Sequence, residues 1–321
     1  MATFLVTRRM APALAARVEA SVRGRKRKPG AILAPRLVAS IRGACIVTAI
    51  VVLAVVLVGR RREGQGLERE RAALLDEWGK QSSSLTVEDK GAVARFESWL
   101  PNFWGPYEGD LVATELRFPG ALAAVVKRPA VYVRGAVEAF EKGTTEVRAA
   151  SVKDAFLLCL LDAPPSRVEK ALLGKVHAAY SDGATLEQRT SNVRRLEDAD
   201  VGLRVLQPPW AERVRAAREL KELSTLRREL EQAPLERGKE AARATLLIVA
   251  LDEPGEGTGP SELDGERPHE IRVGIVDLAS SRILLRARRH VDPTAWSATS
   301  RAQYASGLDA CAVAVDLRDR L

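Results

Sequence analysis

The sequence predicts an α+β fold, a mixed sheet covered by helices, preceded by a single transmembrane helix. Three observations predict it. Apolar runs of strand length recur between amphipathic stretches from Leu111 onward. Two alternating segments joined around Ser280–Ser281 require an antiparallel hairpin. Residues 43–59 are 17 consecutive positions without a charge, GACIVTAIVVLAVVLVG.

That run decides the organisation of the chain. A helix rises 1.5 Å per residue, so 17 residues span roughly 25 Å, the short end of a membrane helix. Val38 and Ile41 lengthen it if Arg42 reaches toward headgroups. The β-branched content suits a strand, but strands usually run about 4–8 residues. More than 40 residues precede the run and no small-residue cleavage site follows it, which argues against a removed signal peptide. Residues 22–42 carry seven Lys or Arg and no acid, against five Arg with five acids over 60–79. Basic excess marks the cytoplasmic side. The expectation is an uncleaved signal-anchor over 37–59. It separates a basic, mostly disordered cytoplasmic arm, 1–36, from a juxtamembrane helix and linker, 60–85, and an extracytoplasmic α+β domain, 86–321.

Charge follows the same division. The net charge of +8 comes from the arm: residues 1–59 hold ten Lys or Arg and one acid, leaving 40 basic and 41 acidic residues for the rest. A near-neutral domain lacks the basic footprint of a nucleic-acid binder. Arg25, Lys26, Arg27 and Lys28, with Arg60, Arg61 and Arg62 beyond the run, are expected to meet anionic headgroups. Arginine outnumbers lysine 39 to 11, a usage that suggests a high-GC bacterial genome. The predicted location is therefore the bacterial inner membrane, N-terminus cytoplasmic and main domain periplasmic.

Element by element, Thr86 with Asp89 forms a capping box opening a helix to about Leu100, which Pro101 stops. Gln81–Ser84 precedes it as a linker. The stretch FESWLPNFWGPYEGD reads as a loop and gathers Phe96, Trp99, Phe103, Trp104 and Tyr107, five of the chain's fifteen aromatics. Such a loop anchors a core corner, forms an interfacial belt, or stacks on a sugar or peptide. These five residues are the candidate ligand or partner contacts. Strands are predicted over 130–137, 155–162, 200–207 and 244–252. A helix is predicted from Ser166 through Tyr180 and SDGATLEQRTSN as an exposed loop. Pro208–Pro209 open one long helix to about Gln232, with Arg215/Glu219, Arg218/Glu222 and Arg227/Glu231 as i,i+4 ion pairs. It packs on the sheet, or serves as a coiled-coil partner. A final helix is interrupted near Gly307.

No chemistry is spelled out. There is no phosphate-binding loop, no nucleophile elbow and no CxxC pair, and the three histidines, His177, His269 and His290, lack metal-ligand spacing. No cofactor, metal or catalytic residue is predicted. Cys159 and Cys311 pair if the domain is exported; two buried thiols are the plainer expectation. The segment 251–270 carries seven acids, Asp252, Glu253, Glu256, Glu262, Asp264, Glu266 and Glu270, without calcium-loop spacing, and reads as a solvated loop. The functional expectation is a non-enzymatic single-pass protein whose external domain binds or scaffolds an envelope protein or cell-wall component. The alternative is a tethered hydrolase using paired carboxylates, at least one of them from Asp162, Asp252 or Asp277 at strand ends.

Overall fold

In the computed structural model, residues 35–253 and 268–321 are described. They fall into two units, 1–65 and 66–321. One helix, α1 (Pro35–Ser83), runs through the boundary. In the first unit, the side chains of Val51, Val52, Leu53, Val55, Leu57 and Val58 are all at least half exposed. Among the described residues no helix is long and apolar enough to cross a membrane. Several side chains of the predicted 37–59 span lie outside that set, as do residues 25–28 and the side chains of Arg60 and Arg62. The side chain of Arg61 is exposed.

The second unit is an α+β domain around a mixed six-stranded sheet of order β1-β6-β5-β4-β2-β3. The chain enters through α2 (Val87–Lys90), α3 (Ala92–Trp99) and α4 (Pro101–Trp104), then β1 (Leu111–Val112), α5 (Ala121–Val125) and β2 (Ala130–Ala136). Next come α6 (Val137–Glu141), α7 (Thr144–Ala150), α8 (Ala155–Leu161), α9 (Glu169–Ser181), α10 (Gly183–Arg189) and β3 (Val193–Arg195). The remainder is α11 (Leu196–Arg204), α12 (Pro208–Ala216), α13 (Leu220–Gln232), α14 (Leu235–Ala242), β4 (Leu246–Glu253), β5 (His269–Asp277), β6 (Arg282–Val291) and α15 (Ala298–Arg320).

The sheet separates two apolar layers, as the period-two geometry of strands requires. Tyr132, Ile248, Ala250, Val273 and Ile275 face α8, α9 and α15. Val131, Val133, Leu247, Val249 and Leu251 face the end of α1 and α3, α4 and α11–α14. Burial on both faces explains why β4 reads as a continuous apolar run. β2 pairs in parallel with both β3 and β4, whereas β4, β5, β6 and β1 are antiparallel. The hairpin turn puts Ser281 at φ 52°, and Asp277 Oδ1 accepts from the N–H groups of Ala279 and Ser280.

The expected elements survive unevenly. The Thr86 capping box, β2, β4 and the β5–β6 hairpin stand as predicted. AFLLCLL is helix α8, not a strand: Asp154 caps it by accepting from Leu157 N–H, and all seven residues are buried between sheet and helices. Periodicity cannot separate such a helix from a buried strand, and this run has no β-branched residue. The stretch 200–207 is mostly helix α11, with the strand displaced to Val193–Arg195. Gly202 there meets α14 so closely that a Cβ would lie 2.6 Å from Pro234 O. SDGATLEQRTSN holds α10, capped by Asp182. The long 208–232 helix is two, because Glu219 and Glu222 form a new capping box at a break after α12. That break separates Arg215 from Glu219 and Arg218 from Glu222, whose carboxylate accepts from Arg218 N–H instead; Arg227, inside α13, pairs with Glu70 and Glu77 in place of Glu231.

The 81–84 linker is mostly helix and is packed. Ser82 Oγ donates to Leu206 O, and Trp78 Nε1 to Val205 O at 3.0 Å. α3 ends at Trp99 with Leu100 as its C-cap, ahead of Pro101 as expected, and Pro101 then starts α4, since the first helical position needs no N–H. In α15 the non-helical residue is Tyr304; Gly307 is instead a close-approach site, where a Cβ would crowd Val176 and Tyr180.

Candidate functional site

The predicted aromatic residues are brought together, and most of their surface is used internally. Phe96 and Phe103 are buried, while Trp99, Trp104 and Tyr107 are half-buried. Phe103 lies over Gly274 of β5. Trp104 and Phe140 meet with ring centroids 5.9 Å apart. Tyr107 is flanked by the guanidinium groups of Arg272 and Arg288, 5.6 and 5.7 Å from its ring centroid. Its hydroxyl donates to Asp110, and burial first, then that carboxylate, pushes it up to about 12. Arg272 also donates to the Phe103 and Gly105 carbonyls. Arg286 pairs with Glu108 and Arg289 with Asp110. Arginines projecting from β5 and β6 thus bind the 103–110 segment to the sheet.

Asp162, Asp252 and Asp277, the three acids named for the hydrolase alternative, do not converge on one another. Asp252 and Asp277 occupy opposite ends of the β4 ladder, opposite Ile271 and Leu246. Asp277 pairs with Arg128, and Asp162 with Lys175 and Arg189. Glu256, Glu262, Asp264 and Glu266 lie outside the described residues. Among the described residues no group of His, Cys, Asp or Glu has metal-binding geometry.

At the carboxyl ends of parallel strands, where α/β sheets commonly bind ligands, this domain has a plug. Arg134, almost fully buried on β2, donates to Asp154 at 2.7 Å and clamps Asp252 with two bonds of 3.0 Å. Asp154 also accepts from Tyr132 Oη at 3.2 Å while capping α8. Burial drives the Tyr132 hydroxyl far above its usual range. The two anions surrounding Arg134 hold its guanidinium charged against the cost of burial. Beside this cluster, Asp309 of α15 is fully buried, accepts from Trp296 Nε1 at 2.5 Å and leaves Oδ2 without a hydrogen-bond partner. Burial pushes its carboxyl up to about 7, although the Trp296 bond and the Arg134 charge hold it lower.

Cys159 of α8 and Cys311 of α15 form a disulfide with Cα atoms 5.2 Å apart, both cysteines buried in the core. The plainer expectation of two buried thiols is overturned. Sequence could not decide it, because 152 positions separate the cysteines.

A concave feature of the domain lies in the helical layer. A cleft of about 900 Å³ opens between α3, α7, α11, α12 and α13. Its apolar surface includes Val93, Val201, Val205 and Trp210. At one end Arg148 pairs with Asp200 at 2.5 Å and Glu97 at 3.5 Å; at the other Arg213 clamps Glu229 with bonds of 2.9 and 3.0 Å. A second hollow of about 410 Å³ shares Arg213 and continues along α12 and α13. None of this was singled out from sequence. Trp210, Val214, Leu223 and Leu226 are spaced as a helical apolar stripe, which marks buried faces but not the break that splays two helices into a cleft.

The fold and this geometry define an α+β domain with a disulfide-linked core and a charged surface cleft. Compared with known proteins, the chain matches no family model, and no curated protein and no solved structure matches it.

Proposed function

We propose that the chain is a single-pass protein of a bacterial inner membrane, its N-terminus cytoplasmic, whose α+β domain lies in the periplasm and binds or scaffolds an envelope component without catalysing a reaction. The observation that carries this reading is the Cys159–Cys311 disulfide, since such bonds persist in oxidising compartments and are rare in the cytosol. The exposed side chains of Val51, Val52, Leu53, Val55, Leu57 and Val58 support a bilayer as the partner of the first unit, because exposed apolar surface in water is costly. The basic residues on either side of the run, Arg25–Lys28 and Arg60–Arg62, then contact headgroups. The dispersal of Asp162, Asp252 and Asp277 favours binding over carboxylate hydrolysis.

The test is a pair of C-terminal fusions in a bacterial host. Alkaline phosphatase is expected to be active and green fluorescent protein dark, with the chain resisting alkaline carbonate extraction. A bright fluorescent fusion with reduced Cys159 and Cys311, trapped by maleimide in intact cells, would sink the compartment. Release by carbonate would sink the anchor.

A further inference from the structure

We propose that the segment Asp292–Tyr304 is a pH-gated cover over Asp309, closed while the Asp309 carboxyl is neutral and lifted when it ionises. The inference depends neither on the compartment of the domain nor on what the domain binds.

The geometry is that of a loosely held flap on a locked base. The chain leaves β6 at Asp292, which caps the short turn Pro293–Ala295 by accepting from Thr294 N–H at 2.9 Å. At the far end Tyr304, at φ −141° and ψ 19°, interrupts α15. Beyond Tyr304 the helix is fixed: Leu308, Ala310, Cys311 and Ala314 are buried, and Cys311 is bonded to Cys159 of α8. Between Asp292 and Tyr304 only Pro293 and Ser300 are buried, and Trp296 is half-buried. Trp296 Nε1 donates to Asp309 Oδ1. Ser297 donates from N–H and Oγ to Glu169 of α9 at 3.1 and 2.6 Å, both exposed bonds, and the Tyr304 ring lies edge-on to His177. A segment with few buried contacts and an exposed backbone sits at the low end of local stability.

Asp309 is what the flap closes over. It is fully buried, and among the described residues its Oδ2 has no hydrogen-bond partner. A neutral carboxyl tolerates that position, whereas a carboxylate there lacks the solvation its charge needs. The surrounding charges do not supply it. Arg134 of β2 favours the ionised form, but Asp154 at the cap of α8 and Asp252 of β4 already neutralise it. Asp292 opposes ionisation, and His290 and Arg301 act in turn on Asp292. α8 is apolar from Ala155 to Leu161, and α9 brings Glu169 to Ser297 and His177 to Tyr304. Lifting Trp296 admits water to both carboxylate oxygens, and the proton leaves to that water. Burial holds the closed carboxyl at about 7 against 3.8 for the free group. Opening therefore becomes easier as pH rises between those two values and levels off above the upper one.

The experiment measures hydrogen exchange by mass spectrometry on the full chain in mild detergent from about pH 5 to about pH 8, each rate divided by the intrinsic rate at that pH. Protection of the peptide covering 293–304 is expected to fall about tenfold or more between about pH 5 and pH 7 and to change little above. Protection of β4 is expected to change less than about twofold, since its opening is not the local one. In Asp309→Asn the fall in 293–304 should be lost. In Asp292→Asn, which keeps an oxygen for Thr294 N–H, the fall should persist but level off at a lower pH. Trp296→Phe removes the bond that closes the flap, so 293–304 should already be unprotected at about pH 5 while β4 keeps the parent's protection; this variant decides the matter if Asp309→Asn does not fold. A parent without the fall, an equal fall in β4, an equal fall in Asp309→Asn, or full protection in Trp296→Phe would each overturn the proposal.

Discussion

Phe103 occupies the space that a side chain at residue 274 would need. A Cβ built on Gly274 would overlap three carbons of the Phe103 ring. Gly274 lies on β5 opposite Val249, in the middle of the sheet, so neither backbone can retreat cheaply. Gly274→Ala is expected to destabilise by about 1–3 kcal/mol through overpacking, and Phe103→Ala by about 3–5 kcal/mol through the cavity it leaves. In the double variant the alanine methyl group takes part of the vacated space, so the two losses should sum to less than their separate values. Urea denaturation of the four proteins checks this; strict additivity would show that the ring does not rest on Gly274.

The disulfide makes a second, quantitative prediction. Cys159 and Cys311 close a loop of 152 positions between α8 and α15. Constraining so long a loop in the unfolded chain is worth roughly 2–5 kcal/mol. The variant Cys159→Ala/Cys311→Ala should lose that amount, and reductant should lower the melting temperature of the parent toward that of the variant while leaving the variant unmoved. Alanine suits the test because both sites are fully buried, where a serine hydroxyl would add its own desolvation cost.

A third prediction concerns the plug beneath the sheet's parallel ends. Arg134 satisfies Asp154 and Asp252 together, and its removal leaves the buried Asp154 and the half-buried Asp252 without their shared cation. Arg134→Met should cost about 3–5 kcal/mol at about pH 7. Arg134→Lys keeps the charge but lacks the two-pronged donor, so it should recover only part. A Lys variant no more stable than the Met variant in urea denaturation would mean that Arg134 acts by packing alone.

What the sequence disclosed followed how local each signal was. The Thr86–Asp89 box, the β4 run and the Ser280–Ser281 turn involve residues within a few positions of each other, and each formed as read. α8 was misread because all seven of its residues are buried, which erases the amphipathic period that marks a helix. The aromatic segment was legible as a cluster, but its partners Arg272, Arg286, Arg288 and Arg289 come from strands more than 160 positions away. The cleft was illegible for the same reason. Its cations are ordinary surface residues until Lys90, Arg148, Arg204 and Arg213, from four different helices, are brought around one hollow.

Asp309 supplies the last prediction, a pH dependence of opposite sign to that of ordinary ion-paired carboxylates. Its folded-state value lies at about 7 against 3.8 for the free group, raised chiefly by burial. A carboxyl raised on folding contributes stability that is fully present below its unfolded value and is lost as pH rises through its folded value. The loss should therefore develop between about pH 4 and pH 7 and level off above, reaching at most about 4 kcal/mol by linkage. Asp309→Asn keeps an oxygen to accept from Trp296 Nε1 and carries no charge at any pH. The informative quantity is the difference between parent and variant, since Asp110, held low by Tyr107 and Arg289, Asp162, by Lys175 and Arg189, and Asp277, by Arg128, impose the reverse slope on both proteins alike. The variant should gain on the parent as pH rises, and be the more stable of the two at about pH 8. Asp292 is the other acid acting on Asp309 through its charge, so Asp292→Asn serves as the control and should leave most of the difference intact. A difference that is flat from about pH 4 to pH 8 would show that Asp309 is already ionised across the range and that its Oδ2 is solvated in the folded protein.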